Sequence, residues 1–138
     1  MLNLTLIISL FCLSLSAPPS PAITIVSMDA IKPYEALWNA VCLVESSNNP
    51  FAIGDKNLKE HSYGIVQIRQ SRLDDYYKQT GIRYTVTDMF CPDKSKEVFM
   101  FYCTGTNLDR ISREWNGGHR GMQKESTKKY WKLINSRL

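Results

Sequence analysis

One segment, residues 33–50, constrains the fold of this chain most, because it predicts an amphipathic helix with defined ends. Pro33 suits the first position of a helix, where a missing N–H is tolerated. The polar run before Pro50 predicts the end of the helix, since short polar side chains compete for backbone bonds and proline cannot continue a helix. The apolar residues recur at helical spacing and cover an arc of about 160° at about 100° per residue. They are Tyr34, Leu37, Trp38, Val41, Cys42 and Val44.

Glu45 lies near the middle of this apolar arc, one turn after Val41 and two turns after Trp38. An ionised carboxylate is costly to bury, and desolvation raises the pKa of a carboxyl group. Such a group can hold a proton near neutral pH and donate it to a substrate. The alternative is that Glu45, in the last turn, turns to solvent or caps a neighbouring loop.

The rest of the chain predicts one small, mostly α-helical domain. It has 138 residues, 43% of them hydrophobic and 22% charged, which is enough for one hydrophobic core. Loops are predicted over residues 51–63 and 84–92, and further helices over residues 69–79, 94–103, 108–115 and 126–136. The inward residues are predicted to include Leu73, Tyr76 and Tyr77 in the second helix, which Gly81 ends, and Tyr130, Trp131, Leu133 and Ile134 in the last.

The N-terminal region predicts export. Residues 1–16 carry no charge and end in Ser14-Leu15-Ser16, which offers small residues at the positions that a signal peptidase recognises. Residues 17–28 form a Pro-rich leader, and the folded domain is expected over residues 29–138. The protein is therefore expected to be periplasmic or extracellular. An uncleaved membrane anchor is the alternative, because no Lys or Arg precedes the apolar run.

Cysteine and charge patterns narrow the function further. Cys42, Cys91 and Cys103 remain after signal removal, and Cys91 and Cys103 are expected to flank one helix, too far apart for a disulfide. With two histidines and no paired Cys-x-x-Cys, no metal site or other cofactor is expected.

Residues 104–138 carry eight basic and three acidic residues. This basic excess suits binding to an acidic cell-wall polymer, a nucleic acid or an acidic lipid. The alternative is that it forms a solvated basic face.

Four separated motifs occur in an order that resembles the soluble lytic transglycosylase domain of the lysozyme-like superfamily. They are Glu45-Ser46 followed by Asn49-Pro50, Gly64-Ile65-Val66-Gln67-Ile68, Trp115-Asn116-Gly117-Gly118, and Tyr130-Trp131. The resemblance covers about residues 34–138. Ile65 and Val66 stand where the family has Leu and Met, Trp115 replaces a tyrosine, and the loop over residues 54–63 is longer than in most members.

The resemblance implies a lysozyme-like α-helical domain with a short loop or hairpin region after the catalytic helix. It implies that Glu45 is the catalytic acid and that Tyr130 holds or tunes it. Substrate contacts are expected from Ser46, Tyr63, Gln67, Trp115, Asn116 and Tyr130, where Ser46 and Gln67 have structural hydrogen bonding as the alternative. The expected reaction cleaves the β-1,4 bond between N-acetylmuramic acid and N-acetylglucosamine in peptidoglycan and leaves a 1,6-anhydro end. The protein is expected to be a monomer. It is expected to bind no nucleic acid and to have no stable membrane span after signal removal.

Three other functions stay open from the sequence. One is a basic membrane-active or nucleic-acid-binding protein, which the excess of basic residues over residues 104–138 permits but no motif supports. Gly54-Asp55 is similar to a segment of goose-type lysozymes, so Asp55 is a candidate for positioning water in a hydrolytic muramidase. The second acid of that relative falls at Arg69, so only one of its two acids is present. A non-catalytic glycan-binding module is the third alternative, and the presence of Glu45 argues against it.

Overall fold

Five α-helices and a small antiparallel sheet make up the part of the chain that the computed structural model describes. It describes the backbone of residues 28–138 and the side chains of residues 34–138. The helices are α1 (Met28–Ser46), α2 (Gln70–Thr80), α3 (Pro92–Tyr102), α4 (Leu108–Gly117) and α5 (Glu125–Asn135). The mostly α-helical fold class is therefore confirmed. The signal sequence, its anchor alternative and the leader as far as residue 27 lie outside the described residues.

A three-stranded sheet follows α1, and two of its strands lie within the predicted loop over residues 51–63. Its strands are β1 (Ile53–Gly54), β2 (Ser62–Tyr63) and β3 (Ile68–Arg69), in the order β1-β2-β3. Ile53 pairs with Tyr63 and Gly54 with Ser62, so β1 and β2 are antiparallel. The strands β2 and β3 are antiparallel as well, with Tyr63 paired with Ile68. This sheet is the hairpin region that was expected after the first helix.

Gly64 lets this sheet pack against a 3-10 helix, Val86–Phe90, which lies in the segment predicted as a plain connection. Its φ is +78°, and a Cβ at this position would lie 1.9 Å from the carbonyl oxygen of Met89. Only glycine satisfies both conditions without displacing the backbone. A second 3-10 helix, Gly118–Gln123, connects α4 to α5.

Aromatic side chains from three helices form the centre of the core. Phe99 of α3 is fully buried, and its ring centroid lies 5.5 Å from that of Trp38 of α1 and 4.8 Å from that of Trp115 of α4. Tyr130 and Ile134 of α5 belong to the same buried cluster. Burial of each large apolar side chain stabilises the fold by about 1.5–3 kcal/mol.

Three helix ends follow from local sequence signals. Gly81 ends α2 with a φ of +75°, as predicted. Pro92 starts α3, and the Asn107 side chain caps α4 by accepting a hydrogen bond from the Arg110 N–H at 3.0 Å. Cys91 and Cys103 flank α3 as predicted, and both thiols are free.

Three details of the sequence prediction are wrong. The first helix begins at Met28, so Pro33 lies within α1 instead of at its first position. Tyr77 is 39% exposed and Leu133 is 55% exposed, although both were expected to point inward. Each follows a buried neighbour in the helix by one turn, so the helical period alone could not exclude it from the apolar face.

Candidate functional site

A cleft of about 840 Å³ opens along α2 and α4 and reaches the end of α1. Its lining combines carboxylates, guanidinium groups, amides and aromatic rings, a mixture that suits a polar organic ligand. Five of the residues proposed from the sequence line it: Glu45, Asp55, Gln67, Trp115 and Asn116. The fold therefore brings together residues that are up to 71 positions apart in the chain.

Glu45 lies in the last turn of α1, half-buried, with its carboxyl group at the cleft. The Tyr130 hydroxyl donates a hydrogen bond of 2.7 Å to Glu45 Oε1. Burial, followed by the charge of Glu45, raises the pKa of Tyr130, so this hydroxyl keeps its proton and acts as a donor. The two residues that the resemblance places together are thus in direct contact.

The pKa of Glu45 is raised above its ordinary value of 4.5. Burial is the largest cause, because it disfavours the charged carboxylate. The hydrogen bond from Tyr130 opposes this effect, the negative charge of Asp55 adds to it, and the positive charges of Arg69 and Arg72 oppose it. Glu45 therefore carries a proton to higher pH than an exposed glutamate does, which is the state required of a general acid.

Asp55 lines the same cleft but is held in an ion pair. Arg69 Nη2 lies 2.7 Å from Asp55 Oδ2, with 34% of the Asp55 side chain exposed. This hydrogen bond is the main reason that the pKa of Asp55 is lowered below its ordinary value of 3.8. Asp55 is thus a persistent carboxylate that is paired with a cation.

Gln67 lines the cleft, yet its amide is engaged in hydrogen bonds within the sheet region. Its Oε1 accepts a bond of 2.7 Å from the Ser62 hydroxyl, and its Nε2 donates to the carbonyl oxygens of Gly64 at 2.8 Å and Ala52 at 3.3 Å. Its backbone φ of +55° is in the left-handed region. These bonds account for the polar residue between Val66 and Ile68.

Ser46 and Tyr63 do not line the cleft; they hold the sheet region in position. The Ser46 hydroxyl donates to the carbonyl oxygen of Ile65 at 2.8 Å and accepts from the Asn49 N–H at 3.1 Å, which ties the end of α1 to the sheet. The half-buried Tyr63 ring packs edge-on against Phe90 at 6.2 Å. The contacts of both residues in this structure are therefore structural.

The Trp-Asn-Gly-Gly segment places a buried ring next to an exposed amide. Trp115 is 7% exposed and packs against Phe99, so only a small part of its ring faces the cleft. Asn116 is exposed at the cleft. Gly118, with a φ of +70°, ends the segment. Asn116 is therefore better placed than Trp115 to contact a ligand in solution.

Arg72 is the main cleft residue that the sequence did not identify. Its guanidinium carbon lies 4.3 Å from the centroid of Trp115 and 4.8 Å from that of Tyr102, and its Nη2 donates to the Trp115 carbonyl oxygen at 2.8 Å. Burial lowers its pKa below the ordinary value of 12.5. One signal was available, since Arg72 is a charged residue beside Leu73 on the inward side of a helix, as Glu45 is in α1.

The described residues contain neither a metal-binding cluster nor a membrane-spanning helix. Within residues 34–138, no three His, Cys, Asp or Glu side chains gather in a group that could hold a metal ion. The absence of a cofactor stays a prediction. None of the helices in the described part of the chain is both long and apolar enough to cross a membrane.

Comparisons of the chain with protein-family models, with curated proteins and with solved structures gave no match.

Proposed function

We propose that this protein is a peptidoglycan lytic transglycosylase with a lysozyme-like domain and Glu45 as its single acid and base. One observation carries the proposal: a half-buried glutamate with a raised pKa faces a polar cleft and accepts a hydrogen bond from a buried tyrosine. Structural ion networks also perturb pKa values, but Glu45 forms no ion pair within the described residues. A protonated acid at a cleft wall is suited to proton transfer to a bound ligand.

In the first step, protonated Glu45 donates its proton to the oxygen between N-acetylmuramic acid and N-acetylglucosamine. Protonation of the leaving oxygen allows the glycosidic bond to break with positive charge developing on the muramic ring. The ionised Glu45 that remains is stabilised by its bond from Tyr130, because a hydrogen bond to a charged acceptor is stronger than one to a neutral acceptor.

In the second step, ionised Glu45 removes the proton from the C6 hydroxyl of the muramic acid, as the resemblance to lytic transglycosylases implies. The C6 oxygen attacks C1, a 1,6-anhydro ring closes, and Glu45 recovers its proton. Nucleophile and electrophile belong to the same sugar, so the reaction gains from proximity and needs no second carboxylate.

A hydrolytic muramidase is the second candidate, and one observation favours it. Asp55 lines the same cleft as Glu45, and its charge acts on the pKa of Glu45. A carboxylate in this location can orient a water molecule toward the sugar. Its ion pair with Arg69 opposes that role, because one of the two carboxylate oxygens, Oδ2, already accepts a hydrogen bond from the guanidinium group.

The remaining expectations belong to this proposal. The partner is the glycan strand of peptidoglycan, contacted by Asn116 and, where their rings or amides reach the ligand, by Trp115 and Gln67. The protein is expected to act as an exported monomer, in the periplasm or outside the cell, without nucleic acid. A non-catalytic glycan-binding module would bind the same strands without cleaving them.

Replacement of Glu45 by glutamine tests the proposal, because the amide keeps the shape of the side chain and removes its titrating proton. Glu45→Gln should retain the fold and lose the ability to clear a suspension of purified cell walls, with a decrease of at least about 100-fold. The matched control is Glu125→Gln, which neutralises an exposed glutamate at the start of α5. Wild-type clearing by Glu45→Gln would overturn the assignment, and no clearing by the unmodified protein would favour the binding module.

A further inference from the structure

The cleft holds a guanidinium group that has no anionic partner among the described residues. Two arginines line it, and Arg69 is paired with Asp55 at 2.7 Å. Arg72 forms no ion pair with any residue of the described part of the chain. A partly buried cation without a partner is costly, and the cost is removed when an anion enters the same environment.

The geometry around Arg72 fixes its guanidinium plane before any ligand binds. Trp115 and Tyr102 lie at 4.3 Å and 4.8 Å from the guanidinium carbon, and one N–H donates to the Trp115 carbonyl oxygen at 2.8 Å. A guanidinium group has five N–H donors, so most of them stay free for a ligand. Little side-chain freedom is left to lose on binding, which favours affinity.

Arg72 lies near the candidate acid without being bonded to it. The charge of Glu45 acts on the pKa of Arg72, and the charge of Arg72 acts on the pKa of Glu45, yet no ion pair joins the two. The Asp75 carboxylate on the next turn of α2 is engaged by the Tyr102 hydroxyl at 2.8 Å. A substrate anion could therefore bind Arg72 while the scissile bond lies at Glu45.

We propose that Arg72 is a specificity-determining residue that binds a carboxylate of the glycan substrate. The inference rests on the proposed function and adds the substrate feature that is recognised. Arginine and carboxylate form paired, parallel hydrogen bonds, which are stronger than neutral ones. Peptidoglycan offers carboxylates on the lactyl group of muramic acid, where no peptide is attached, and on the stem peptides. Chitin has the same backbone linkage and no carboxylate.

The test measures binding in the Glu45→Gln background, where the proposed chemistry is blocked. Isothermal titration calorimetry compares three tetrasaccharides: chitotetraose, an alternating glucosamine–muramic acid strand with free lactyl carboxylates, and the same strand with stem peptides. One or both carboxylated ligands should bind about 10- to 100-fold more tightly than chitotetraose, as expected for charge-assisted hydrogen bonds. The ligand that shows the preference identifies the source of the carboxylate.

Addition of Arg72→Gln should abolish this preference and leave the affinity for chitotetraose within about twofold, because neutral contacts are retained. The control is Arg83→Gln, which removes another arginine that stacks on a tyrosine, at 4.0 Å from the Tyr77 centroid, but does not line the cleft. Arg72→Lys keeps the positive charge but lacks the paired N–H donors of a guanidinium group. It should therefore retain part of the preference for carboxylated strands.

A change on the ligand keeps the proposal testable even if Arg72→Gln fails to fold. Methyl esterification of the carboxylates should remove the preference in the Glu45→Gln background alone. Equal binding of chitotetraose and carboxylated strands would overturn the carboxylate site. An equal loss of affinity for both kinds of ligand in Arg72→Gln would also overturn it. In either case, wall cleavage by the wild type would still uphold the proposed function. No binding of any tetrasaccharide and no wall cleavage would overturn both.

Discussion

Replacement of Tyr130 by phenylalanine removes the hydroxyl that donates a hydrogen bond to Glu45. The bond is 2.7 Å long, and its acceptor is a carboxylate whenever Glu45 is ionised. Hydrogen bonds to charged groups contribute about 1.5–3 kcal/mol and those between neutral groups about 0.5–1.5 kcal/mol. The variant should therefore lose about 1.5–3 kcal/mol of unfolding free energy where Glu45 is ionised, and less where it is protonated.

The direction of the pH dependence follows from the pKa of Glu45. Burial raises this pKa above 4.5, so the stability that Glu45 contributes is present in acid and is lost as the pH rises through its folded-state pKa. The Tyr130 bond lowers this pKa, and its removal must raise it further. As the pH rises above the ordinary glutamate pKa, Tyr130→Phe should thus lose stability more steeply than the wild type. In the pH–activity profile, the limb that reports deprotonation of the acid should move to higher pH.

Urea unfolding followed by tryptophan fluorescence at about pH 4 and about pH 8 measures this effect. Tyr77→Phe is the control, because Tyr77 is exposed on α2 and its hydroxyl has no hydrogen-bond partner in the described residues. An equal loss of stability at both pH values, together with an unchanged pH–activity profile, would refute the coupling between Tyr130 and the charge of Glu45.

Two further predictions concern the core and the second carboxylate. Phe99→Ala should lower the unfolding free energy by about 3–5 kcal/mol, since it empties the space between Trp38 and Trp115. A loss below about 1 kcal/mol in urea unfolding would contradict the central packing role of Phe99. Asp55→Asn should keep most of the wall-clearing activity and change stability by less than about 1 kcal/mol, because its pair with Arg69 is partly exposed. A loss of activity as large as that of Glu45→Gln would instead favour the muramidase.

Much of the fold was predictable because it depends on local signals. The apolar arc of α1 identified Leu37, Trp38 and Val41 as core residues, and all three are buried. Gly81 identified the end of α2. A short loop or hairpin region was expected after α1, but its strands were not located, since each is only two residues long and too short to show an alternating pattern.

The site was predictable in part, for a different physical reason. The position of Glu45 on an apolar face can be deduced from helical period alone. The stacking of Arg72 between Trp115 and Tyr102 depends on contacts between residues 30 and 43 positions apart, and no local pattern encodes it. The sequence likewise could not decide whether Gln67 faced a ligand or the sheet, because an amide between two apolar residues suits either environment.

The mass of the sugar at the cleaved end tests the central claim most directly. Peptidoglycan digested by the wild-type protein should yield muropeptides that end in 1,6-anhydro-N-acetylmuramic acid, about one water (roughly 18 Da) lighter than the hydrolysis products, and Glu45→Gln should yield none. Products with ordinary reducing ends, formed by the wild type and lost in Asp55→Asn, would contradict the single-carboxylate mechanism and establish hydrolysis.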